Sequence, residues 1–182
     1  IDVSSIIGNY VQSQINHVEL IDDKIWFAIS DYENINEVKA IDLDGNEIES
    51  YNVGIIPGDF TSWENWIFVA NEGNYGASNG SLSMIDEFGN IFETEDIGDV
   101  VQSLEVYENK LITIVNNSHL IKLYDITEDG LSFPGIEVST NGSSPREMVI
   151  VDNKVYFTNW NTKDVKVFNL FTYQIENSIS IS

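Results

Sequence analysis

Short apolar runs alternate with polar turns along the whole chain. Four of these runs follow an Asp or Asn turn and are rich in β-branched and aromatic residues, the composition of a central β-strand. Nowhere do apolar positions recur at helical spacing for long enough to predict a helix. The runs are DDKIWFAIS (22–30), ENWIFVAN (64–71), ENKLITIVN (108–116) and DNKVYFTN (152–159). The pattern therefore predicts an all-β protein.

The four runs belong to copies of one longer unit. Their turn residues, Asp23, Asn65, Asn109 and Asn153, are separated by 42, 44 and 44 positions. In each copy a polar loop and a second strand follow, and in the first two copies that strand enters near-identical hairpins, IDLDGNEIES and IDEFGNIFET. A period near 44 residues, filled with evenly spaced strands, indicates a repeat architecture.

Each unit contains four short strands. After the second strand come an outer strand and then a turn into the innermost strand of the next unit, at IPGDF (56–60), DVVQSL (99–104) and SPREMVIV (144–151). This is typical of β-propeller blades, which bury their faces only against neighbouring blades. A β-sandwich also has evenly spaced strands but does not require residues to repeat in register. We therefore predict a β-propeller of four-stranded antiparallel blades, about four in this chain.

The repeat predicts one propeller unit over residues 1–182. Residues 7–13, IGNYVQS, resemble IGDVVQS further along the chain, so residues 1–14 are expected to form the outer strand of a preceding blade and a linker. Three arrangements fit: a fragment of a larger ring, a part completed by another copy, and a lone four-bladed ring. Open ends would expose sheet faces that need a cover. The expected blades span 15–60, 61–104, 105–148 and 149–182.

The last unit, SPREMVIVDNKVYFTNWNTKDVKVFNL (144–170), resembles the repeat of the YVTN-type β-propeller family. In that repeat a Gly/Pro turn leads through an inner strand into a "YVTN" strand and then a "VxVID" strand. IFVANEG with SLSMIDEFGN is a second match, whereas FAIS and TIVN depart from the pattern. The resemblance covers residues 16–182 and implies a propeller, commonly a ring of seven blades in this family. It implies little about function, because such propellers have many uses.

The chain is strongly acidic, with 8 Lys plus Arg against 30 Asp plus Glu and a formal net charge of −22. Such a field repels phosphate backbones and anionic lipid surfaces, so no nucleic-acid partner is expected. No stretch approaches the ~20 apolar residues of a membrane span, so none is predicted. The absence of cysteine excludes disulfides and thiolate metal sites.

The charge, the lack of cysteine and the family resemblance together favour a secreted, periplasmic or cell-surface protein. The first residues, IDVSSIIGNYVQSQ, contain neither a basic segment nor a long apolar segment of the kind found in a signal peptide. Any export signal is therefore expected to lie outside this sequence.

Arg146 is the sole arginine of the chain and enters the last innermost strand just after a proline. That position is expected near the mouth of the central channel, where a guanidinium suits bidentate binding of a carboxylate or phosphate. The alternative is an ion pair with Glu147, Asp59 or another of the many acids.

Two loops are expected to open on the same face as Arg146. One holds Asn71 and Tyr75 in NEGNYGASNGS, and the other holds Trp160. A rigid ring flanked by amides suits a sugar, a planar cofactor or a peptide, although packing between blades is the alternative for Trp160. The predicted ligand-binding residues are Arg146, Asn71, Tyr75 and Trp160.

Little in the sequence indicates catalysis or a metal. DLDGNE and DYENINE contain carboxylates and amides suited to calcium but lack the spacing of a full EF-hand loop, and turn chemistry explains both. His17 and His119 lie in different repeats, outside any HxxxH pair. No GxSxG, P-loop or GxGxxG motif occurs. No catalytic residue, metal ligand or cofactor is therefore predicted.

Three functions fit these expectations. The favoured one is a non-enzymatic module that binds a small molecule or a protein partner at the channel mouth. The second is a lyase or hydrolase with a metal in the channel, which predicts Asp, Glu, Asn or His side chains converging on the axis from three or more blades. The third is a structural or assembly protein whose open end blades pair with other chains, including a homo-oligomer that completes the ring.

Overall fold

The computed structural model describes residues 14–181, and these residues form β-strands and no α-helix. The strands pair into four antiparallel sheets that follow one another along the chain. The first sheet contains β1 (Ile15–Ile21), β2 (Lys24–Ser30), β3 (Asn36–Ile41) and β4 (Glu47–Asn52). The second contains β5 (Pro57–Trp63), β6 (Trp66–Asn71), β7 (Ser81–Ile85) and β8 (Ile91–Glu93).

The third and fourth sheets repeat this arrangement with one variation. The third contains β9 (Val101–Tyr107), β10 (Lys110–Val115), β11 (Leu120–Thr127), β12 (Gly130–Leu131) and β13 (Ile136–Ser139), and its outer position is shared because β12 and β13 both pair with β11. The fourth contains β14 (Pro145–Val151), β15 (Lys154–Asn159), β16 (Asp164–Asn169) and β17 (Gln174–Ser180). The predicted all-β fold, a partial β-propeller of about four antiparallel blades, is confirmed.

Each innermost strand pairs with the strand that follows it in the chain. β5 pairs with β6, β9 with β10, and β14 with β15. The expected divisions after residues 60, 104 and 148 therefore fall inside innermost strands, and the sheets run over 15–52, 57–93, 101–139 and 145–180. The strand expected before residue 14 lies outside the described residues.

Three apolar clusters hold consecutive blades together. Every interior strand has aliphatic or aromatic side chains on both faces, so a middle blade can bury one face against each neighbour. The first interface includes Trp26, Val38, Phe60 and Val69. The second includes Phe68, Leu82, Leu104 and Tyr124, and the third includes Ile112, Ile121, Phe157 and Phe168.

The blades fan around an axis with their first strands innermost. β1 packs beside β5, β5 beside β9, and β9 beside β14, whereas these described strands show no comparable packing of β14 on β1. Apolar side chains on the outward faces of the end blades are accordingly exposed: Val18 by 55% and Leu20 by 63% on β1, and Val149 by 54% and Val151 by 52% on β14.

The twin hairpins of the first two blades close in the same way. Asp42 Oδ1 accepts the backbone N–H of Asn46 at 2.8 Å and its Oδ2 accepts the Asn46 amide at 2.9 Å. Asp86 and Asn90 make the same pair of bonds, each at 2.8 Å. Gly45, with φ of 92°, provides the left-handed backbone that the first turn requires. In the calcium-like DLDGNE segment, the Asp42 carboxylate therefore accepts hydrogen bonds from within the turn.

Candidate functional site

Polar side chains from all four innermost strands surround the propeller axis. Three cavities follow one another along it, of about 430 Å³ at the mouth, about 250 Å³ in the middle and about 240 Å³ in the lower channel. Their polar lining includes His17 and Glu19 of β1, Asp59 of β5, Gln102 and Glu105 of β9, and Arg146 and Glu147 of β14.

The mouth cavity is lined by exposed aromatic rings and one guanidinium. Tyr32 is 58% exposed, Tyr75 74% and Trp160 57%. Arg146 lies over the Trp160 ring, with Cζ 4.5 Å from the ring centroid, a separation typical of a cation–π contact. The mouth therefore combines a positive group with apolar rings that a ligand could cover.

The Arg146 guanidinium has unused hydrogen-bond donors. Among residues 14–181 it makes no hydrogen bond or salt bridge, so the alternative of an ion pair with Glu147 or Asp59 is not seen there. Burial raises the pKa of Glu72, and the charge of Arg146 opposes that rise. Planar guanidinium donors of this kind suit a carboxylate or phosphate.

Backbone hydrogen bonds hold the mouth loops in place. The Trp160 N–H donates to the Ser144 carbonyl at 2.9 Å, which ties the loop after β15 to the turn before β14. Two blades earlier, the Glu72 N–H donates to the Ile56 carbonyl at 2.8 Å and ties the loop after β6 to the turn before β5. The Gly76 N–H donates to Asp99 Oδ1 at 3.0 Å, which attaches the Tyr75 loop to the next blade.

The absent side chain of Gly58 gives Glu72 room beside the channel. A Cβ on Gly58 would lie 2.7 Å from Glu72 Oε1, closer than real Cβ contacts allow. Glu72 lines both the mouth and the middle cavities, and the Gln102 amide lies 3.4 Å from its Oε1. The floor of the mouth is therefore acidic, while Arg146 at its rim is basic.

Asn71, the remaining predicted site residue, lies apart from the mouth. Its side chain is fully buried and its Nδ2 donates to Ser81 Oγ at 3.1 Å and Ser83 Oγ at 2.9 Å. Asn159 occupies the same place at the end of β15, where it pairs with Pro145 as Asn71 pairs with Pro57, and its Nδ2 donates to the Asp164 carbonyl at 3.1 Å. The structure thus brings Arg146, Tyr75 and Trp160 together and places Asn71 in the framework of its blade.

The lower channel contains a cluster that sequence reasoning missed. His17 Nε2 lies 3.2 Å from Asp59 Oδ1 and 3.7 Å from Glu19 Oε2. The Glu19 and Asp59 carboxylates raise the pKa of His17, and partial burial opposes them. Burial raises the pKa of Asp59 to about 6. The sequence contained one indication of this cluster, because His17 and Asp59 occupy the same position in successive repeats. They pair with Ala28 and Ala70, which are equivalent residues of β2 and β6.

Further carboxylates make the lower channel attractive to cations. Glu105 from β9 and Glu147 from β14 line the same cavity as His17 and Asp59. Burial raises the pKa of Glu105, and the charges of Asp59 and Glu19 raise it further. Channel-lining groups thus come from all four blades, which is the convergence that the metal-dependent enzyme hypothesis predicts.

A second large concavity lies between the hairpins of the first two blades. It has a volume of about 450 Å³ and is lined by residues that include Lys24, Glu49, Tyr51 and Phe88. Trp26 and Tyr51 stack there with ring centroids 6.2 Å apart. This hairpin cleft lies at the opposite end of β1 from the channel mouth and contains none of the predicted site residues.

Solved structures similar to this chain support the propeller fold. A structure of a nidogen/laminin complex matches with a TM-score of 0.71 and 12% identity over 94% of this chain and 66% of that chain. A functionally unknown protein from Desulfotomaculum acetoxidans matches with a TM-score of 0.75 and 10% identity over 92% and 56% of the two chains. Hydrazine synthase from Kuenenia stuttgartiensis matches with a TM-score of 0.74 and 13% identity over 94% of this chain and 53% of that chain.

This chain spans less than two thirds of the length of each of those three chains. At these identities the similarity shows the fold alone. No family model and no curated protein matches the sequence, so the YVTN-type resemblance stays a prediction. Within residues 14–181 there is no helix of the length and apolarity needed to cross a membrane.

Proposed function

We propose that this β-propeller is a non-enzymatic interaction module that binds a carboxylate-bearing ligand at the mouth of its axial channel. The ligand is a small molecule, or a protein partner that presents the same group. The observation that carries the proposal is the Arg146 guanidinium, which is stacked on Trp160 and has no other hydrogen-bond or ion-pair partner among residues 14–181. Such a group can donate two parallel hydrogen bonds to a carboxylate.

The surroundings of Arg146 restrict the body of the ligand. Tyr75 and Trp160 offer exposed ring faces, which favour a planar or apolar group next to the carboxylate. Glu72 beneath the mouth and the net charge of −22 disfavour ligands with several negative charges. The preferred ligand is therefore a monoanion with an uncharged aromatic or aliphatic body.

We also propose that the module works outside the cytoplasm, as a secreted, periplasmic or cell-surface protein. The supporting observations are the acidic composition, the absence of cysteine and the resemblance of residues 144–170 to YVTN-type repeats. Of the similar structures, the nidogen/laminin complex is itself an assembly of two proteins, which is compatible with a protein ligand for a propeller of this shape.

Calorimetric titration with sodium phenylacetate tests the proposed mouth site, with phenylethylammonium as a probe of similar size and opposite charge. We expect the wild-type chain to bind phenylacetate more tightly than phenylethylammonium. Arg146→Gln should weaken that binding by about 10-fold or more, because a hydrogen bond to a charged group is worth about 1.5–3 kcal/mol. Lys24→Gln removes the same charge at the opposite end of β1 and should have no effect.

Two results would overturn the proposal. One is equal phenylacetate affinity for the wild type and Arg146→Gln, with both chains folded by circular dichroism. The other is a preference for phenylethylammonium, which would mean that the acidic floor and not the guanidinium selects the ligand.

The second candidate function is a lyase or hydrolase with a metal in the channel. One observation favours it, the convergence of His17, Asp59, Glu105 and Glu147 from four different innermost strands. The Arg146 guanidinium and the exposed rings beside it favour the mouth as the ligand site, so the binding module remains the better-supported proposal.

A further inference from the structure

We infer that His17, Glu19 and Asp59 form a binding site for a divalent transition metal, with Zn²⁺ as the best match, in the lower part of the axial channel. This site is separate from the proposed carboxylate site at the mouth, and no residue is shared between the two. The inference rests on the arrangement of three ligand atoms from β1 and β5 and on the groups that hold them.

The distances between the three ligand atoms suit a tetrahedral metal. His17 Nε2 is 3.2 Å from Asp59 Oδ1 and 3.7 Å from Glu19 Oε2, and all three atoms lie within 4.8 Å of one another. A tetrahedral Zn²⁺ with bonds of about 2.0–2.2 Å holds its ligands about 3.3–3.6 Å apart. A metal could therefore enter with only small side-chain movements.

Neighbouring groups hold two of the ligands in position. Asp59 Oδ2 accepts the Leu104 N–H at 2.8 Å, and Asp59 Oδ1 accepts the Phe60 N–H at 2.9 Å. The His17 ring packs edge-on against Phe60, with centroids 4.8 Å apart and an interplanar angle of 83°. Supporting contacts of this kind orient ligands in metal sites and raise affinity.

The composition of the cluster selects the class of metal. An imidazole nitrogen with two carboxylates suits Zn²⁺ and related transition metals, whereas Ca²⁺ and Mg²⁺ prefer sets made of oxygen alone. Glu105 and Glu147 add two formal negative charges around the same cavity of about 240 Å³. That space leaves a fourth coordination position open to water or to a ligand in the channel.

The test is a calorimetric titration of the chelator-treated chain with ZnCl₂. We expect one Zn²⁺ per chain and no competition from excess CaCl₂. His17→Gln and Asp59→Asn should each weaken Zn²⁺ binding by at least about 10-fold, the loss that follows removal even of a supporting group. His119→Gln is the matched control, because His119 lies in a loop that hydrogen-bonds Ser144 and should leave affinity unchanged.

Co²⁺ provides a second reading that needs no variant. We expect the wild-type chain to give the visible absorption of tetrahedral Co²⁺, and ZnCl₂ to remove it. The inference is overturned if the wild type binds no Zn²⁺, if His17→Gln binds it as well as the wild type, or if bound Co²⁺ is octahedral. Phenylacetate binding depends on Arg146 and not on this cluster, so failure here and failure of the proposed function give different results.

Discussion

At the scale of single residues, the Trp160 ring positions the Arg146 guanidinium. The indole face holds the guanidinium at 4.5 Å in the mouth without using its hydrogen-bond donors, so the arginine is positioned and still able to bind. If Arg146 were paired with one of the many carboxylates, fewer of its N–H donors would be free to bind a ligand.

Trp160→Leu is therefore predicted to weaken phenylacetate binding a few-fold. The expected loss is about 0.5–1 kcal/mol, the value of a cation–π contact at an exposed site, because Arg146 remains but loses its support. Calorimetry on the variant measures it, and Phe171→Leu, at a residue 68% exposed on the fourth blade, is the control. An unchanged affinity would show that the indole plays no part in the site.

Asn71→Ala is predicted to destabilise the fold and to leave phenylacetate binding intact. Its amide is fully buried and bonded to Ser81 and Ser83, so the substitution should cost about 1–3 kcal/mol of unfolding free energy. Urea denaturation measures the loss, and Asn74→Ala in the exposed loop beside it should change stability by less than about 0.5 kcal/mol. Wild-type stability in Asn71→Ala would contradict this structural role.

Repeat position explains which site residues could be predicted from the sequence. Asn71 recurs as Asn159, and an amide repeated at the same strand position in two blades serves the blade framework. Arg146 is the only arginine of the chain and lines the mouth cavity, and its role in binding stays a prediction. His17 and Asp59 occupy equivalent positions on different strands, but only the curvature of the blades brings their side chains together.

The twin hairpins show how a short element is specified locally. Each uses an Asp that accepts hydrogen bonds from the turn and a Gly with positive φ, so both could be predicted from IDLDGNE and IDEFGNI. The outer strands of the third blade could not be predicted from the sequence. Its segment departs from the repeat, and two short strands, β12 and β13, share one side of β11.

The hairpins also carry a pH-dependent contribution to stability. Hydrogen bonds from the Asn46 side chain and turn N–H groups lower the pKa of Asp42, and those from Asn90 lower the pKa of Asp86. Since the folded pKa lies below the unfolded value of about 3.9, the contribution is present above that pH and is lost as the pH falls through the folded pKa.

Carboxyl NMR titration of Asn46→Ala tests this assignment. We predict that the pKa of Asp42 rises toward its ordinary value, while the pKa of Asp86 is unchanged because its own Asn90 remains. The Asn90→Ala variant should show the reverse. If neither substitution moves the pKa of its partner aspartate, the amide side chains do not stabilise the charged form.

At the scale of the whole molecule, the two end blades present uncovered apolar faces. The fourth blade exposes Val149, Val151 and Ile179, the last by 54%, and the first exposes Val18 and Leu20. The equivalent faces between consecutive blades are buried. A larger ring and completion of the propeller by another copy would both cover these faces, and completion by another copy remains a prediction.

Light scattering across a wide concentration range tests that prediction. We expect the mass to rise from one chain toward two, because pairing of end blades removes exposed apolar surface from water. Val151→Glu should keep the chain monomeric by placing a charge on that face. Leu43→Glu, at a hairpin residue 50% exposed, is the matched control and should still associate. A monomeric wild type at every concentration would contradict self-association.

The position at which a ligand binds shows directly whether the channel mouth is the functional site. The measurement is the change in backbone and indole N–H chemical shifts of the ¹⁵N-labelled chain on titration with sodium phenylacetate. We predict shifts centred on the residues that line the mouth, which are Tyr32, Glu72, Tyr75, Arg146 and Trp160. Shifts confined to the hairpin cleft, around Lys24, Tyr51 and Phe88, would contradict it.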